Sequence, residues 1–188
     1  MRAARVDAVL LDRDGTINVK AARDEYIVHP DDVELLPGAA EAIRLLNRAD
    51  VPVVVVTNQR GIARGLMTEA DLTAVHERLR KLLASEQAHI DEWFHCPHEG
   101  ACDCRKPGIL MLRSAQASLG LPSLGGSFMI GDSPSDVEAG ARVGAQTILI
   151  VTEGGAADVD CRHAPSLLAA VQTILGGSTA EESGSLAR

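Results

Sequence analysis

Residues 6–16 read VDAVLLDRDGT and form the most informative segment of the chain. Residues 6–11 are mostly apolar, and this run ends abruptly at Asp12, Arg13 and Asp14. A short apolar run that ends in a charged turn is typical of a buried parallel strand. Because Asp12 and Asp14 are two residues apart, their side chains project to the same side. The segment therefore predicts a strand that delivers two carboxylates to one edge of a sheet.

Further apolar runs alternate with segments of helical periodicity along the rest of the chain. The other predicted strands cover residues 52–56, 90–95, 127–130 and 146–151, and the predicted helices cover residues 37–46, 68–83, 109–119, 133–143 and 165–175. This alternation predicts an α/β fold with a doubly wound, mostly parallel, Rossmann-like sheet. In such sheets ligands bind beyond the carboxyl ends of the strands, which is where we look for a site.

Length and composition fit one folded domain. The chain has 188 residues, of which 46% are hydrophobic and 23% charged, with a formal net charge of -8. An acidic chain is poorly suited to bind nucleic acid, and no apolar stretch approaches the roughly 18 residues of a membrane span. We therefore expect a cytoplasmic monomer that binds neither nucleic acid nor membranes. We expect one domain over residues 1–175 and a disordered tail over residues 176–188.

A polar loop follows the second predicted strand. Thr57 ends a run of four valines, and a hydroxyl at the carboxyl end of a strand can donate to a phosphoryl oxygen. Asn58, Gln59 and Arg60 continue the chain into a glycine-containing loop whose shape suits contact with a ligand. A threonine after a valine run is more often a simple strand end. Thr57 therefore indicates a phosphate site only in combination with the other candidate residues.

Two more charged segments complete the set of candidates. Arg105 and Lys106 are adjacent cations before a predicted helix, and they could stabilise negative charge on a transferring phosphoryl group. Asp132 follows the fourth predicted strand, where a third carboxylate would complete an oxygen site for Mg²⁺. Asp136 has two interpretations: a further metal ligand, or the acid of a helix capping box three residues after Ser133.

A separate group of soft metal ligands lies just before these two cations. Cys96, His98, Cys102 and Cys104 fall within nine residues, and three thiols with one imidazole are typical of a closed, tetrahedral Zn²⁺ site. His95 is an alternative to His98 as the nitrogen ligand. Because four protein ligands leave no open position, the predicted zinc is structural and folds a loop. In the reducing cytoplasm such cysteines are better explained as ligands than as disulfides.

The order of these elements resembles the four motifs of the haloacid dehalogenase-like phosphatases. The matching residues are Asp12, Asp14, Gly15 and Thr16, then Thr57, then Lys106, then Gly131, Asp132 and Asp136. The likeness spans roughly residues 6 to 150 and is specific as a set. The cysteine and histidine segment, followed by Arg-Lys-Pro, is similar to the branch that holds the heptose bisphosphate phosphatases and the histidinol-phosphate phosphatases.

The resemblance implies hydrolysis of a phosphate monoester. Asp12 would be the nucleophile that forms an aspartyl-phosphate, and Asp14 would protonate the leaving alcohol and then activate water. Mg²⁺ would be held by Asp12, the backbone carbonyl of Asp14 and Asp132. Thr57 and Lys106 would hold the phosphoryl oxygens.

Substrate choice follows from size and charge. The intervals between the motifs leave no room for a large inserted cap, so the zinc loop is the expected lid. Arg60, Arg64 and Arg105 could bind a second anionic group, alongside substrate contacts from Asn58 and Gln59. This favours a sugar bisphosphate over histidinol phosphate, whose amine the arginines would repel. The resemblance then implies removal of the 7-phosphate of D-glycero-D-manno-heptose 1,7-bisphosphate. A non-enzymatic zinc-stabilised interaction module and a phosphotransferase remain as alternatives.

Overall fold

The computed structural model describes residues 6–22, 25–100, 102–151 and 160–177. The strands are Val9–Leu11 (β1), Val53–Asn58 (β2), Glu92–Cys96 (β3), Phe128–Gly131 (β4), Gln146–Ile150 (β5) and Arg162–Ala164 (β6). The helices are Ala39–Arg48 (α1), Glu69–Ser85 (α2), Leu110–Ser118 (α3), Pro134–Arg142 (α4) and Leu167–Gly177 (α5), with a short 3-10 turn at Pro30–Asp32.

The six strands form one parallel sheet in the order β3-β2-β1-β4-β5-β6. Leu11 of β1 pairs with Val55 on one side and Ile130 on the other. The chain winds outward from β1 to β3, crosses back to β4 and then winds in the opposite direction. The winding therefore reverses between β1 and β4, which is the switch point where ligands bind in such sheets. The predicted doubly wound parallel fold is confirmed.

Helices cover both faces of the sheet because alternate strand residues point to opposite sides. Val9 and Leu11 of β1 pack into a large apolar cluster with residues from α1, α2 and α5. Leu10 points the other way, into a second cluster with residues from α3 and α4. All three side chains are fully buried. Burial on both faces is the reason that β1 reads as a continuous apolar run rather than an alternating one.

The structure differs from the expected element boundaries at the carboxyl end. The strand β6 was not predicted, because Arg162 and His163 are exposed and only Ala164 supplies a buried side chain. The helix α5 runs to Gly177, two residues into the segment predicted as a tail, and residues 178–188 lie outside the described part of the chain. Among the described residues, the helices are too short or too polar to cross a membrane.

Candidate active site

The switch point between β1 and β4 brings three carboxylates together. Asp12 directly follows β1, and its backbone N–H donates to the Ile130 carbonyl of β4 at 2.9 Å. Asp132 follows β4, and Asp136 lies in the first turn of α4. Carboxylate oxygens of Asp12, Asp132 and Asp136 lie within 4.8 Å of one another. The structure thus assembles the acidic cluster from positions more than a hundred residues apart in sequence.

Two glycines make this close approach possible. Gly15 has a φ of +84°, and a Cβ at that position would overlap the carboxylate of Asp132. A Cβ at Gly131 would similarly overlap the carboxylate of Asp136. Side chains larger than hydrogen at either position would therefore push the acids apart, and at Gly15 they would also strain the backbone.

Asp136 has both of the roles considered for it. Its Oδ2 accepts from the Ser133 backbone N–H at 3.1 Å, as the acid of a capping box at the start of α4. Its Oδ1 faces the acidic cluster and lies 2.6 Å from Lys106 Nζ. Asp136 and Lys106 therefore form an ion pair. No described residue makes a well-aligned hydrogen bond to Asp136 Oδ1. The cap therefore fixes one oxygen of Asp136 and leaves the other directed at the site.

Lys106 is buried between the acids. Its Nζ donates to Asp12 Oδ1 at 2.9 Å and to the Val56 carbonyl at 2.6 Å. Burial alone would lower the pKa of Lys106, but the negative charges of Asp12 and Asp136 outweigh it and raise the pKa. For Asp12, burial is the largest effect and exceeds the opposing attraction of Lys106, so its pKa rises to about 6. A nearby cation would favour the ionised form of Asp12.

Asp14 lies outside the acidic cluster and is held by several donors. Arg13 donates from Nε and Nη2 to the Asp14 carboxylate at 2.8–3.0 Å, and Asn18 Nδ2 donates to Oδ1 at 2.9 Å. Burial would raise the pKa of Asp14, but the Arg13 charge and the hydrogen bonds from Asn18 and Gln59 lower it. Arg13 is 1% exposed. Neither Arg13 nor Asn18 is among the site residues predicted from the sequence.

Polar side chains at the end of β2 form hydrogen bonds that link the residues of the site. Gln59 Nε2 donates to Asp14 Oδ2 and to Thr57 Oγ1, both at 2.9 Å. The Asn58 amide binds the backbone of Lys106 twice: Oδ1 accepts from its N–H at 2.9 Å, and Nδ2 donates to its carbonyl at 3.1 Å. We predicted substrate contacts for Asn58 and Gln59, and the structure shows both amides engaged within the protein. Both also border the cavity described next.

A cavity of about 780 Å³ opens above the acidic cluster. Its lining combines the predicted catalytic residues with a wall from the segment that follows β1: Asp12, Asp14, Thr57, Lys106, Asp132 and Asp136, together with Lys20, Ala21, Ala22, Glu25, Tyr26 and Ile27. The volume suits a phosphorylated sugar, since typical small-molecule sites measure about 300–1,000 Å³. All the acids and cations predicted for the chemistry therefore face a single cavity.

The three arginines predicted to bind a second anionic group lie in different places. Arg60 and Arg105 line the cavity, and Arg60 Nε donates to the hydroxyl of Tyr26 at 2.8 Å. Arg64 instead forms an ion pair with Glu99 at 2.5 Å, which joins the loop after β2 to the loop after β3. The structure therefore brings Arg60 and Arg105 to the cavity and directs Arg64 to another loop.

The four predicted zinc ligands form a compact cluster next to Lys106. The six distances between the Sγ atoms of Cys96, Cys102 and Cys104 and Nδ1 of His98 run from 2.9 to 3.6 Å. A tetrahedral ion with bonds of about 2.0–2.3 Å requires ligand separations of roughly 3.3–3.8 Å. The arrangement therefore fits a zinc ion after only small adjustments. His95, the alternative ligand, pairs with Glu69 at 2.9 Å instead.

A lysine that the sequence analysis did not single out also contacts the acidic cluster. Lys20 Nζ donates to Asp132 Oδ2 at 2.8 Å, from a segment 112 residues earlier in the chain. Burial is the main cause that raises the pKa of Asp132, and Lys20 opposes it. The other oxygen, Asp132 Oδ1, is buried and has no hydrogen-bond partner among the residues that the structure describes. An exposed lysine in a loop gives no sequence signal of such a contact.

Comparisons with known proteins agree with this arrangement. A sequence model of the HAD-hydrolase-like family matches residues 103–172. The chain is 42% identical over 149 residues to the D-glycero-beta-D-manno-heptose-1,7-bisphosphate 7-phosphatase of Pseudomonas putida, covering 78% of this chain and 83% of that relative. It is 38% identical over 161 residues to the enzyme of the same name from Escherichia coli K12, covering 81% and 82%.

A solved structure shows the same likeness in three dimensions. The D,D-heptose 1.7-bisphosphate phosphatase of B. bronchiseptica, crystallised with magnesium and phosphate, superposes with a TM-score of 0.82 at 34% identity. The match covers 90% of this chain and 98% of that one. Identity at this level over most of both chains establishes common membership. The chain belongs to the D-glycero-beta-D-manno-heptose-1,7-bisphosphate 7-phosphatase family of haloacid dehalogenase-like hydrolases.

Proposed function

We propose that this protein is a phosphomonoester hydrolase that removes the 7-phosphate of D-glycero-D-manno-heptose 1,7-bisphosphate. The observation that carries the proposal is the cluster of Asp12, Asp132 and Asp136 around Lys106 at the floor of a single cavity. The names of the relatives supply the substrate, and the lining of the cavity is compatible with it.

The acidic cluster fits a magnesium ion. Mg²⁺ binds oxygen ligands, and the cluster offers carboxylates from Asp12, Asp132 and Asp136. The buried oxygen Asp132 Oδ1 lacks a hydrogen bond within the described structure, so it is available as a ligand, whereas Asp136 Oδ1 lies in an ion pair 2.6 Å from Lys106 Nζ. When bound, the ion offsets the repulsion between these acids and an anionic phosphoryl group. Arg13 occupies the side chain of Asp14, so the group of Asp14 that would bind the metal is its backbone carbonyl.

Asp12 performs the first step in this mechanism. One Asp12 oxygen attacks phosphorus while the bond from phosphorus to the sugar oxygen breaks, giving an aspartyl-phosphate and an alcohol. Lys106 already donates to Asp12 and stays beside the phosphoryl oxygens, where its positive charge stabilises the negative charge in the transition state. The Thr57 hydroxyl lines the same cavity and can donate to another phosphoryl oxygen.

Asp14 transfers the protons. It protonates the departing sugar oxygen, and the resulting carboxylate then takes a proton from the water that hydrolyses the aspartyl-phosphate. Arg13, Asn18 and Gln59 favour the carboxylate form, which suits the second step. In the first step, the negative charge of the bound phosphate opposes these donors and raises the pKa of Asp14 towards the value needed for an acid.

Three cations in the cavity wall support a bisphosphate rather than histidinol phosphate. Arg60, Arg105 and Lys20 line the cavity in addition to Lys106. These cations would attract a second phosphate and repel the amine of histidinol. A zinc-stabilised interaction module without catalytic activity would not require the buried Lys106 between two acids. A phosphotransferase remains possible on the same residues, because only the acceptor in the second step differs.

Phosphate release from a panel of substrates tests this proposal. With Mg²⁺ present, kcat/KM for the heptose bisphosphate should exceed that for histidinol phosphate by at least about 100-fold, corresponding to roughly 2.7 kcal/mol of selectivity. EDTA should abolish release and added Mg²⁺ should restore it. Equal or reversed selectivity would favour the histidinol-phosphate alternative. Transfer to added glycerol in preference to water would indicate a phosphotransferase.

We also propose that the cluster of Cys96, His98, Cys102 and Cys104 holds a structural zinc ion. The ligand separations support it, and the site adjoins the two cations that the loop presents to the cavity. Free thiols are needed for this role, and the structure describes all four cysteines of the chain as unpaired. A cytoplasmic location, where thiols stay reduced, belongs to the same proposal. We retain a monomer as the expected state.

Replacing Cys104 by serine tests the zinc proposal. We expect the bound zinc, measured by elemental analysis, to fall from about one ion per chain to a small fraction. The melting temperature should fall by roughly 4–8 °C, which corresponds to about 2 kcal/mol for a domain of this size. Cys161, which lies outside the cluster, provides the matched control, and Cys161→Ser should retain both zinc and stability. Unchanged zinc content in Cys104→Ser would contradict the assignment.

A further inference from the structure

Lys20 forms an ion pair with an acid that the proposed mechanism assigns to the metal. Its Nζ donates to Asp132 Oδ2 at 2.8 Å. Burial would lower the pKa of Lys20, but the hydrogen bond and charge of Asp132, followed by the charges of Asp12 and Asp14, raise it, so the ammonium lies in the field of the whole acidic group. We propose that Lys20 is an internal competitor for the magnesium ion and sets the Mg²⁺ concentration at which the site fills. The inference rests on the proposed function.

Two lysines face the three acids from different sides. Lys106 lies between Asp12 and Asp136, and Lys20 contacts Asp132. Together they neutralise much of the repulsion that three carboxylates within 4.8 Å would otherwise create. A divalent ion that binds the same acids performs the same neutralisation. The ion and at least one of the lysines therefore compete for the negative charge of the same carboxylates.

Lys20 is the lysine that a metal ion can displace. The side chain of Lys106 is 2% exposed, and its Nζ is also held by the Val56 carbonyl. The side chain of Lys20 is 58% exposed, and it reaches Asp132 from the cavity wall. Moving Lys106 would leave an unpaired buried charge, whereas Lys20 can rotate into solvent at little cost. Metal binding should therefore displace Lys20 and leave Lys106 in position.

The cost of that displacement lowers the affinity for the ion. Removing the Lys20 charge should tighten Mg²⁺ binding about tenfold, because the ion no longer breaks an ion pair and no longer binds beside a neighbouring positive charge. Lys20→Met keeps the length and the apolar stem of the side chain and removes the ammonium. Lys20→Arg keeps the charge, so it should bind Mg²⁺ as weakly as the unaltered protein.

Isothermal titration calorimetry with MgCl₂ and without substrate measures this effect directly. The control is Lys81→Met, on the exposed side of α2, because it removes the same charge from the chain without touching the site. We expect the dissociation constant to fall about tenfold in Lys20→Met and to change by less than twofold in Lys20→Arg and Lys81→Met. Circular dichroism melting in the absence of Mg²⁺ checks that each variant is folded.

Each result either supports the inference or overturns it. Equal affinity in Lys20→Met and Lys81→Met would overturn it, because the ammonium would then not compete with the ion. Weaker binding in Lys20→Met would overturn it as well, since Lys20 would then assist the metal. Because no substrate is present, these outcomes are independent of the substrate proposal. That proposal fails separately, if phosphate release shows no preference for the heptose bisphosphate.

Discussion

Replacing Asp12 by asparagine should reduce phosphate release by roughly four orders of magnitude or more while the protein remains folded. The amide has nearly the same shape as the carboxylate, and its oxygen can still accept a hydrogen bond from Lys106, which stays paired with Asp136. It cannot act as the nucleophile. Because burial raises the pKa of Asp12 to about 6, the ionised acid is costly in this environment. A neutral side chain should therefore preserve or increase stability.

Steady-state phosphate release measures the loss of activity in Asp12→Asn, and thermal melting measures its stability. Asp32→Asn, in the exposed 3-10 turn, is the matched control and should keep both activity and melting temperature. Rapid quenching of the unaltered enzyme with radiolabelled substrate should trap phosphate on the protein, and Asp12→Asn should trap none. Turnover in Asp12→Asn within 100-fold of the unaltered enzyme would refute Asp12 as the nucleophile.

Replacing Lys106 by methionine should damage both catalysis and stability. The change leaves Asp12 and Asp136 buried without their shared cation, and loss of one partner of a buried ion pair costs about 3–5 kcal/mol. Catalysis loses a charge beside the transferring group, which is worth roughly 100- to 1,000-fold in rate. Unlike Asp12→Asn, this variant should therefore melt at a clearly lower temperature.

Denaturant unfolding with and without Mg²⁺ distinguishes the cause of that instability. If repulsion between the acids is responsible, added Mg²⁺ should recover part of the lost stability of Lys106→Met, because the ion supplies positive charge to the same carboxylates. Lys81→Met controls for removal of an exposed lysine and should unfold like the unaltered protein. A Lys106→Met variant as stable as the original would show that the buried pair contributes little.

The main strands and the acids of the site could be predicted because their signals are local. The apolar run before Asp12 marks a buried strand, and the reversal of winding places Asp132 beside it. The four zinc-type ligands fall within nine residues, so their proximity was visible without knowledge of the fold. The two interpretations of Asp136 also came from local spacing, but only the structure shows that both apply together.

The features that sequence reasoning missed depend on contacts between distant polar side chains. Lys20 meets Asp132 across 112 residues, and nothing in its neighbourhood separates it from other exposed lysines. Arg13 looks like a turn residue, yet the fold buries it against Asp14. The strand β6 is a short edge strand with one buried side chain, so it carries almost no hydrophobic pattern. Tertiary packing alone determines these three features.

Asn58 at the end of β2 makes two hydrogen bonds to the backbone of Lys106. The loop after β3 therefore does not have to position Lys106 by itself while it also shapes the cavity. The end of β2 holds the backbone of Lys106 directly, without using the residues between His98 and Cys102. Evolution could therefore lengthen, shorten or recharge that stretch to suit a different sugar while the phosphate chemistry stays the same. Family members could therefore differ in substrate specificity while they keep the same reaction mechanism.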